Sequence, residues 1–455
     1  MTIKCDNLTY EECELAILRS AVDTAEKRIA KQTIHSDEIK NIIRIVEEFL
    51  KRKKLVCYGG TAINALLPKE DKFYDEELEL PDYDFFSPSP VKDAKELADI
   101  YYNNGFVEVE AKAGMHYGTY KVFVNFIPVA DITLMNKSLF NSVKSESISI
   151  SGIHYAPPNY LRMAMYLELS RPEGDVSRWE KILRRLTLLN KNYPLKQQDC
   201  KNKHIQREFR SDLDKEDDIF EVTRKALINK NAVFFGGYAN ILYSKYMPQS
   251  LKKKIQKIPD FDVLSERPFE LANYVKERLE KEKLGKVKIY EHEGVGELIS
   301  PHYELEISGE TILFIYEPIA CHSYNVIKID NEQIRIATID TMLSLYLAFL
   351  YADRDYYDRN RLICMAYYLF VVQQKNRLKQ KGLLRRFSIN CYGKQKTLMT
   401  IRAEKAEQFK KLSKKKHSRA YDEWFLRYIP REERKRSGTR GKIKKTKKRN
   451  KTRKK

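Results

Sequence analysis

The sequence predicts an α/β protein, of the α+β kind, that contains two tandem copies of one domain, each with a mixed β-sheet and flanking helices. Three observations support this prediction. Each half of the chain shows the same order of strand, helix, strand, helix, further strands and closing helices. A Gly-Gly pair followed by Asp-x-Asp occurs twice, and its first glycines, Gly59 and Gly236, lie 177 positions apart. A third aspartate in an apolar strand, Asp131, follows only the first copy. The second copy is therefore interpreted as degenerate.

The elements of the first copy follow one another with short connections. Apolar residues at helical spacing predict a helix over 37–54. A short strand then leads into Gly59-Gly60, and the next helix begins at Thr61 and ends at Pro68. The remaining predictions are strands at 83–86, 106–111, 119–126 and 129–135, and helices at 91–104, 159–170 and 177–191.

The second copy repeats this order. Strands are predicted at 232–235, 261–264, 287–290, 303–307 and 311–316, and helices at 269–283, 339–351 and 359–374. Asp260 and Asp262 preserve the Asp-x-Asp, but aligning Pro318-Ile319-Ala320 with the residues before Asp131 places Cys321 at its position. A thiol is a poor ligand for a hard cation. The second copy is therefore expected to act as an RNA platform, a dimerisation surface or a structural support.

Length and charge divide the chain further. At roughly 150 residues per domain, 455 residues allow about three parts, predicted as 1–200, 201–430 and a basic tail at 431–455. The net charge is +21, and residues 434–455 contain 14 Lys or Arg and no acid, which leaves +7 for the rest. Such a tail is typical of an unfolded polyphosphate-binding arm. A nuclear-targeting signal, an anchor to packaged nucleic acid and a solubilising tail are the alternatives.

The cysteine pattern and the hydropathy of the sequence indicate the compartment in which the protein is expected to work. The seven cysteines include no Cys-x-x-Cys, which favours a reducing compartment and argues against structural zinc. The sequence has no apolar run of about 18 residues, so no membrane span is expected.

Three carboxylates predict a metal site. Side chains alternate along a strand, so Asp82 and Asp84 point the same way, while Tyr83 and Phe85 point into a core. If the strand of Asp131 lies alongside, three anions converge, and a bound cation is the usual relief. Oxygen ligands without His or Cys favour Mg²⁺ or Mn²⁺.

The glycine pair predicts a neighbouring phosphate site. Gly59 and Gly60 lie between a strand and a helix, where the backbone can approach a triphosphate and the helix offers free N–H groups. Thr61 is expected to donate its hydroxyl, and Asn64 to have a structural or sugar-contacting role. Asp82 and Asp84 would bind two ions about 3.5–4 Å apart, and Asp131 the ion at the attacking hydroxyl.

Each of these motifs alone has a plainer interpretation. A Gly-Gly pair after a strand is most often a tight turn, and Asp-x-Asp is most often an exposed strand face. Their combination in one order, repeated in the second half, favours the functional interpretation. Lys121 and Lys137 could reach phosphates, or could simply be solvated. His116 and Tyr117 could stack on a base, or could form part of a plain turn.

These residues resemble the signature of the DNA polymerase β-type nucleotidyltransferases. More closely, the chain is similar to the poly(A) polymerase catalytic subunits of nucleocytoplasmic large DNA viruses. The similarity rests on the segments at 58–64, 82–87 and 129–131, and on the duplicated, degenerate second half, so it covers about residues 37–375.

The resemblance implies template-independent polyadenylation of viral mRNA, in which AMP is transferred from ATP to the RNA 3′-hydroxyl with Mg²⁺ or Mn²⁺ and release of pyrophosphate. It implies Asp82, Asp84 and Asp131 as catalytic residues and metal ligands, and Gly59 and Gly60, with Thr61, as nucleotide-binding residues. It also implies a homodimer or a viral processivity subunit, action in the host cytoplasm and packaging in the virion. The alternatives are another terminal transferase (a uridylyl- or CCA-adding enzyme or an oligoadenylate synthetase) and a non-catalytic RNA-binding module.

Overall fold

The computed structural model describes residues 9–75, 79–195, 200, 215–249 and 258–430. The chain forms two compact units. The first contains the residues up to Leu134, 147–155 and those from Lys405 onward, and the second contains 135–146 and 156–404. The predicted boundaries at 200 and 430 differ from this division and stay predictions. The predicted basic tail at 431–455 lies outside the described residues.

Helices and strands alternate through both halves of the described chain. The helices are α1 (Tyr10–Ile34), α2 (Asp37–Lys53), α3 (Gly59–Leu66), α4 (Pro90–Asn103), α5 (Lys137–Ser145), α6 (Pro158–Leu169), α7 (Trp179–Asn192), α8 (Glu216–Asn229), α9 (Gly236–Ser244), α10 (Pro268–Lys281), α11 (Ile339–Phe349), α12 (Arg359–Lys375), α13 (Leu398–Leu412) and α14 (Arg419–Phe425). The strands are β1 (Val56–Cys57), β2 (Tyr83–Ser87), β3 (Val109–Ala113), β4 (Thr119–Val124), β5 (Ile127–Leu134), β6 (Ile148–Ile150), β7 (Ile153–Tyr155), β8 (Val233–Phe235), β9 (Phe261–Leu264), β10 (Val287–His292), β11 (His302–Ile307), β12 (Glu310–Tyr316), β13 (His322–Ile329), β14 (Glu332–Ala337), β15 (Cys391–Tyr392) and β16 (Arg427–Tyr428).

The first unit contains an eight-stranded mixed sheet in the order β16-β3-β4-β5-β2-β1-β7-β6. The β2–β5 and β1–β7 pairs are parallel, and the other pairs are antiparallel. Helix α2 begins where the Ser36 hydroxyl accepts a hydrogen bond from Ile39 N at 3.3 Å. Its apolar stripe buries Phe49 against Phe85 of β2, with ring centroids 6.4 Å apart. Helix α4 is fixed to α2 by the Tyr101 hydroxyl, which donates to the Ile42 carbonyl at 2.7 Å.

The second unit contains a sheet of the same design, in the order β10-β11-β12-β9-β8-β14-β13-β15. Strands β9 and β12 are parallel, as β2 and β5 are, and β8 and β14 are parallel, as β1 and β7 are. Helix α6 follows β7 in the chain, and α11 follows β14 in the same way. The α/β class and the two tandem copies with mixed sheets, predicted from the repeated motif, are confirmed.

Two hairpins were absent from the sequence-based prediction. The β6–β7 hairpin turns through Ser151 and Gly152, which have φ values of 51° and 82°, and the β13–β14 hairpin turns through Asp330 and Asn331, with φ values of 49° and 68°. Asp, Asn and Gly tolerate this left-handed conformation, and they are the usual residues of two-residue hairpin turns. The turn residues were thus present in the sequence, but the strands of β6 and β7 are only three residues long.

The cysteines depart from the expectation of free thiols in a reducing compartment. The second unit contains the disulfides Cys200–Cys364 and Cys321–Cys391, with Cα atoms 5.5 and 5.2 Å apart. The paired cysteines are 164 and 70 positions apart in the sequence, so only the fold shows that they meet. Among the described residues, no helix has the length and hydropathy needed to cross a membrane.

Candidate active site

The first Gly-Gly pair forms a sharp turn from β1 into α3. Gly59 has φ +72°, a conformation that side chains disfavour, and it begins the helix directly after Tyr58. A Cβ on Gly59 would lie 2.6 Å from Oδ2 of Asp84. The turn therefore brings the N-terminus of α3 against the Asp84 carboxylate, and glycine is required both by the backbone conformation and by the space.

The sheet brings the predicted carboxylates together. Asp84 of β2 and Asp131 of β5 are direct neighbours in the parallel register, and Asp82 precedes β2 on the same face as Asp84. Tyr83 and Phe85 point to the other face and are buried, as predicted. Partial desolvation of the Asp82 carboxyl, and then the negative charge of Asp131, raise its pKa. All three aspartates lie in the first unit.

Asp131 has a cation beside it in the adjacent strand. Lys121 of β4 is its register partner, and the Lys121 ammonium forms a short ion pair with Asp131 Oδ2. Only 16% of the Asp131 side chain is exposed. The alternatives left open for Lys121 were a phosphate contact and a solvated side chain. In the structure it neutralises one of the site's carboxylates.

The donor set fits a divalent cation. Oδ1 of Asp131 is buried and accepts no hydrogen bond from any described residue. A buried carboxylate oxygen without a donor costs free energy, and a cation removes that cost. The three side chains offer only carboxylate oxygens, the ligands that Mg²⁺ and Mn²⁺ prefer. Asp82, Asp84 and Asp131 would therefore hold the metal.

Thr61 and Asn64 have partners within the protein. The Thr61 hydroxyl donates to the Asp82 carbonyl at 2.6 Å, which fixes α3 to the start of β2. Asn64 Oδ1 accepts from Phe73 N at 2.9 Å and Tyr74 N at 3.1 Å, which anchors the loop after α3. Both residues support the site geometry, and a nucleotide contact by either remains a prediction.

Tyr58 is a member of the site that sequence reasoning did not assign. Its ring stacks on Phe86 with centroids 3.9 Å apart, and its hydroxyl lies 2.9 Å from the hydroxyl of Thr133. Burial, and then the charge of Asp84, raise its pKa well above the usual range, so it stays protonated. The signal was its place directly before Gly59. Tyr58 holds β1, β2 and β5 in register beside the carboxylates.

The corresponding place in the second unit is closed. Gly237, Asp260 and Asp262 line a cavity of about 30 Å³ together with aromatic side chains and Arg361. Tyr316 stacks on Phe349 at 5.4 Å, Phe349 stacks on Tyr357 at 4.5 Å, and the two tyrosine hydroxyls are 2.8 Å apart. Pockets for small ligands measure about 300–1,000 Å³, so this cavity has no room for a nucleotide.

The strand register corrects the assignment of Cys321. Asp262 of β9 has Phe314 of β12 as its parallel neighbour, so Phe314 occupies the position of Asp131. Glu304 of β11 is the register partner of Phe314, where the first unit has Lys121. Cys321 lies beyond β12, in the disulfide with Cys391. The segments 128–131 and 318–321 are thus similar in sequence but do not occupy equivalent positions in the two sheets.

The remaining candidates belong to other elements than the three aspartates. Lys137 begins α5, in the second unit. His116 and Tyr117 lie in the turn between β3 and β4, where Gly114 N donates to the Thr119 carbonyl at 2.7 Å. The Tyr117 ring contacts Trp424 of α14, with centroids 4.5 Å apart.

Comparison with known proteins finds a family and individual relatives that the first copy is similar to. Residues 44–175 match the family model described as "Poly(A) polymerase catalytic subunit". A protein of African swine fever virus (strain Badajoz 1971 Vero-adapted), provisionally named a poly(A) polymerase catalytic subunit, is 34% identical over 188 residues, which are 40% of this chain and 39% of that protein. A protein of Acanthamoeba polyphaga mimivirus with the same provisional name is 33% identical over 183 residues, 39% of this chain and 30% of its own length. The matched region thus spans about two fifths of the African swine fever virus protein and less than a third of the mimivirus protein. The predicted resemblance to these catalytic subunits is confirmed.

A solved structure matches most of the chain. The crystal structure of the Megavirus polyadenylate synthase superposes with a TM-score of 0.74, covering 90% of this chain and 85% of that one at 22% identity. At this identity, the similarity shows a shared fold. The tandem organisation therefore occurs in a protein of that name, beyond the segment matched by sequence.

Proposed function

We propose that this chain is a polynucleotide adenylyltransferase that adds AMP from ATP to the 3′-hydroxyl of viral mRNA without a template. The observation that carries the proposal is the pairing of Asp84 and Asp131 on adjacent strands, with Asp82 on the same face and Gly59 directly beside Asp84. A carboxylate cluster next to a glycine turn at a helix N-terminus suits a triphosphate and a divalent cation. The preference for ATP is supported by the family match alone.

The reaction exchanges one phosphorus–oxygen bond for another. The RNA 3′ oxygen bonds to the α-phosphorus of ATP, the bond from that phosphorus to the bridging oxygen breaks, and pyrophosphate leaves. Asp82, Asp84 and Asp131 would hold divalent ions, which would supply charge neutralisation and acidify the attacking hydroxyl. Gly59 lets the phosphates approach the free N–H groups of α3. Asp131 would bind the ion at the attacking hydroxyl and would assist removal of the hydroxyl proton.

Primer extension tests this function directly. A short labelled RNA is incubated with Mg²⁺ or Mn²⁺ and each nucleoside triphosphate separately, using wild type, Asp84→Ala and the matched Asp262→Ala. The expected result is a ladder with ATP alone, lost in Asp84→Ala and retained in Asp262→Ala. A clear preference for UTP or CTP would replace the proposal with another terminal transferase. RNA binding without extension by any nucleotide would favour a binding module.

We also propose, on the family resemblance, that the chain works as a homodimer or with a viral processivity subunit, in the host cytoplasm and the virion. Light scattering of the purified chain measures its oligomeric state, and immunoblots of purified virions test its packaging. A monomer that extends RNA processively without another subunit would contradict the assembly proposal, and its absence from virions would contradict the packaging proposal.

A further inference from the structure

A large cavity in the first unit is lined by none of the three aspartates. It measures about 790 Å³ and lies between α4 and α14. Tyr117, Tyr120 and Leu134, at the adjacent ends of β4 and β5, form its floor. Its size falls within the range of ligand-binding clefts. None of its lining residues takes part in the proposed catalytic step.

The cavity opens on the sheet face opposite the catalytic residues. Tyr120 alternates with Lys121 along β4, and Leu134 lies three positions after Asp131 along β5. Side chains at odd separations on a strand point to opposite faces. A ligand in the cavity is therefore separated from Asp131 by the thickness of the sheet, and it is not the reacting nucleotide.

One aromatic ring at the cavity, Tyr117, is held in place by a second ring, Trp424. Tyr117 is 43% exposed and rests against Trp424, with ring centroids 4.5 Å apart. Trp424 is thereby fixed behind a ring that keeps part of its surface open to solvent. An exposed, supported aromatic ring is the usual platform on which an unpaired nucleobase stacks. The contact with Trp424 holds the Tyr117 ring in one orientation, as stacking requires. Its position in a turn would not by itself do so.

Three of the four acidic residues of the cavity are neutralised by a cation in the same unit, and the fourth, Asp99, accepts a hydrogen bond from a neutral hydroxyl. The two acids of α14 form ion pairs with residues of α4 and α14. The two acids of α4 bond to residues of α2 and β16. The pairs are Asp422 with Lys95 at 2.6 Å, Glu423 with Arg419 at 2.9 Å, Glu96 with Lys53 at 2.8 Å and Arg52 at 2.9 Å, and Asp99 with the Tyr428 hydroxyl at 2.8 Å.

A run of lysines leads to the cavity along the chain. We name it the lysine strip: Lys410, Lys411, Lys414, Lys415 and Lys416, at the end of α13 and in the connection to α14. All five are exposed, and none forms an ion pair with a described residue. No acid occurs between Phe409 and Tyr421, and α14 begins at Arg419 of the cavity. The strip therefore ends at Lys416, three positions before Arg419, which lines the cavity.

We propose that the lysine strip and the Tyr117–Trp424 cavity form a binding subsite for single-stranded RNA upstream of the reacting 3′ end. Unpaired cations that meet phosphates, followed by a ring that stacks on a base, are the two elements of sequence-independent binding to single strands. A run of cations with no acid between Phe409 and Tyr421 suits the regularly spaced phosphates of a nucleic acid. The identity of the ligand as RNA rests on the proposed function.

Trp424 reports on occupancy of the cavity. The chain has two tryptophans, so Trp179→Phe leaves Trp424 as the single tryptophan emitter. Titration of this full-length variant with single-stranded RNA of about 30 nucleotides is expected to quench the fluorescence, and a 6-nucleotide RNA is expected to quench it less. RNA binding, followed in parallel by anisotropy of a labelled end, with unchanged Trp424 emission would overturn the proposal.

Two sets of variants separate stacking from charge. Tyr117→Ala should weaken binding of the 30-nucleotide RNA about five- to 100-fold, whereas Tyr117→Phe retains the ring and should bind normally. Replacing the lysine strip by glutamines should make the slope of log K (the RNA association constant) against log[salt] less negative by about 1 to 3.5. The matched control removes five exposed lysines of the second unit: Lys225, Lys286, Lys328, Lys379 and Lys381.

The fluorescence, anisotropy and salt-dependence measurements follow RNA binding, so their outcome is independent of catalysis. Retention of the anisotropy affinity and salt slope in both variants would overturn the subsite. An equal loss in the control variant would also overturn it, since the effect would then follow net charge alone. Extension of a 6-nucleotide primer should remain within about twofold of wild type in the variants. Loss of all extension in the wild type, with binding intact, would instead contradict the proposed function.

Discussion

The two units contain the same strands in the same order around a Gly-Gly turn, yet only one has an open carboxylate site. In the first, Asp84 lies beside Asp131, and Lys121 neutralises Asp131 from the next strand. In the second, the equivalent neighbours of Asp262 are Phe314 and then Glu304. The sheet can thus keep its geometry while its chemistry is lost.

The difference extends from single residues to the space around them. In the second unit, Tyr316, Phe349 and Tyr357 stack on one another and close the cavity to about 30 Å³, room for only one or a few water molecules. Arg361 lines the same cavity as Asp260 and Asp262, so a side chain offers the positive charge that a metal would offer in the first unit. The second unit lacks the third carboxylate, and aromatic side chains also fill the space beside Asp260 and Asp262. A single substitution therefore cannot restore a metal site there.

The largest expected effect distinguishes the two Asp-x-Asp motifs by activity. Asp84→Asn should lower the rate of RNA extension at least about 1,000-fold, because loss of even an outer partner of a metal ligand costs about 10–100-fold. Asp262→Asn should change the rate less than about twofold. Steady-state extension rates with saturating ATP measure both, and circular dichroism shows that each variant is folded. Equal losses in the two variants would contradict the assignment of a single catalytic unit.

The second prediction tests whether the second site can be rebuilt. Phe314→Asp supplies the missing carboxylate, but it removes a buried ring, which costs about 3–5 kcal/mol of unfolding free energy, and adds a buried charge. Urea unfolding should show this loss. In an Asp84→Asn background the variant should show no extension activity. Recovered activity there would mean that the aromatic closure is easily displaced.

The comparison also shows how far sequence reasoning reached. Repetition of Gly-Gly and Asp-x-Asp predicted the duplication, and alternation along β2 predicted that Asp82 and Asp84 share a face while Tyr83 and Phe85 are buried. The neighbouring position of Asp131 followed once its strand was placed beside β2. These features are local, or depend on the simple period of a strand.

Features that depend on register or on distant contacts could not be predicted in the same way. The pairing of Phe314 with Asp262 depends on which strand occupies the β5 position, and a coincidental similarity of sequence pointed to Cys321 instead. The Lys121–Asp131 ion pair depends on the register of the β4–β5 hairpin, which contains an irregularity after Val122. The contact of Tyr117 with Trp424 joins residues more than 300 positions apart.

The third prediction compares the two glycine turns. In Gly59→Ala the new Cβ meets only the outer oxygen of Asp84, at 2.6 Å, so the carboxylate can rotate away. In Gly236→Ala it meets Oδ2, Cγ and Cβ of Asp262 at 1.9, 2.6 and 2.7 Å, so the backbone must move. Both glycines have positive φ, which costs an alanine about 1–2 kcal/mol.

Activity and stability should therefore respond in opposite ways to these two changes. Gly59→Ala should lower extension at least about tenfold with a modest loss of unfolding free energy, because it displaces a catalytic carboxylate. Gly236→Ala should lose more unfolding free energy and keep its activity per folded molecule. Extension rates and urea unfolding of both variants test the contrast. It would be contradicted if Gly59→Ala extended RNA normally.

The smallest expected effect is the stabilisation of the first unit by a metal. Mn²⁺ at ten times its dissociation constant should add about 1.4 kcal/mol to the unfolding free energy. The increase should disappear in Asp84→Asn and remain in Asp262→Asn. Thermal unfolding without nucleotide or RNA measures it, so the result does not depend on catalysis. Stabilisation that survives in Asp84→Asn would place the metal elsewhere.

Lys121 sharpens this last measurement. Its ammonium already neutralises Oδ2 of Asp131, so a metal that binds Asp131 must compete with an internal cation. Lys121→Met removes the competitor and leaves the three carboxylates to repel one another. The metal-free variant should therefore be less stable than wild type, and Mn²⁺ should stabilise it more at the same concentration. An unchanged metal response in Lys121→Met would show that the metal does not use Asp131, and would restrict the metal site to Asp82 and Asp84.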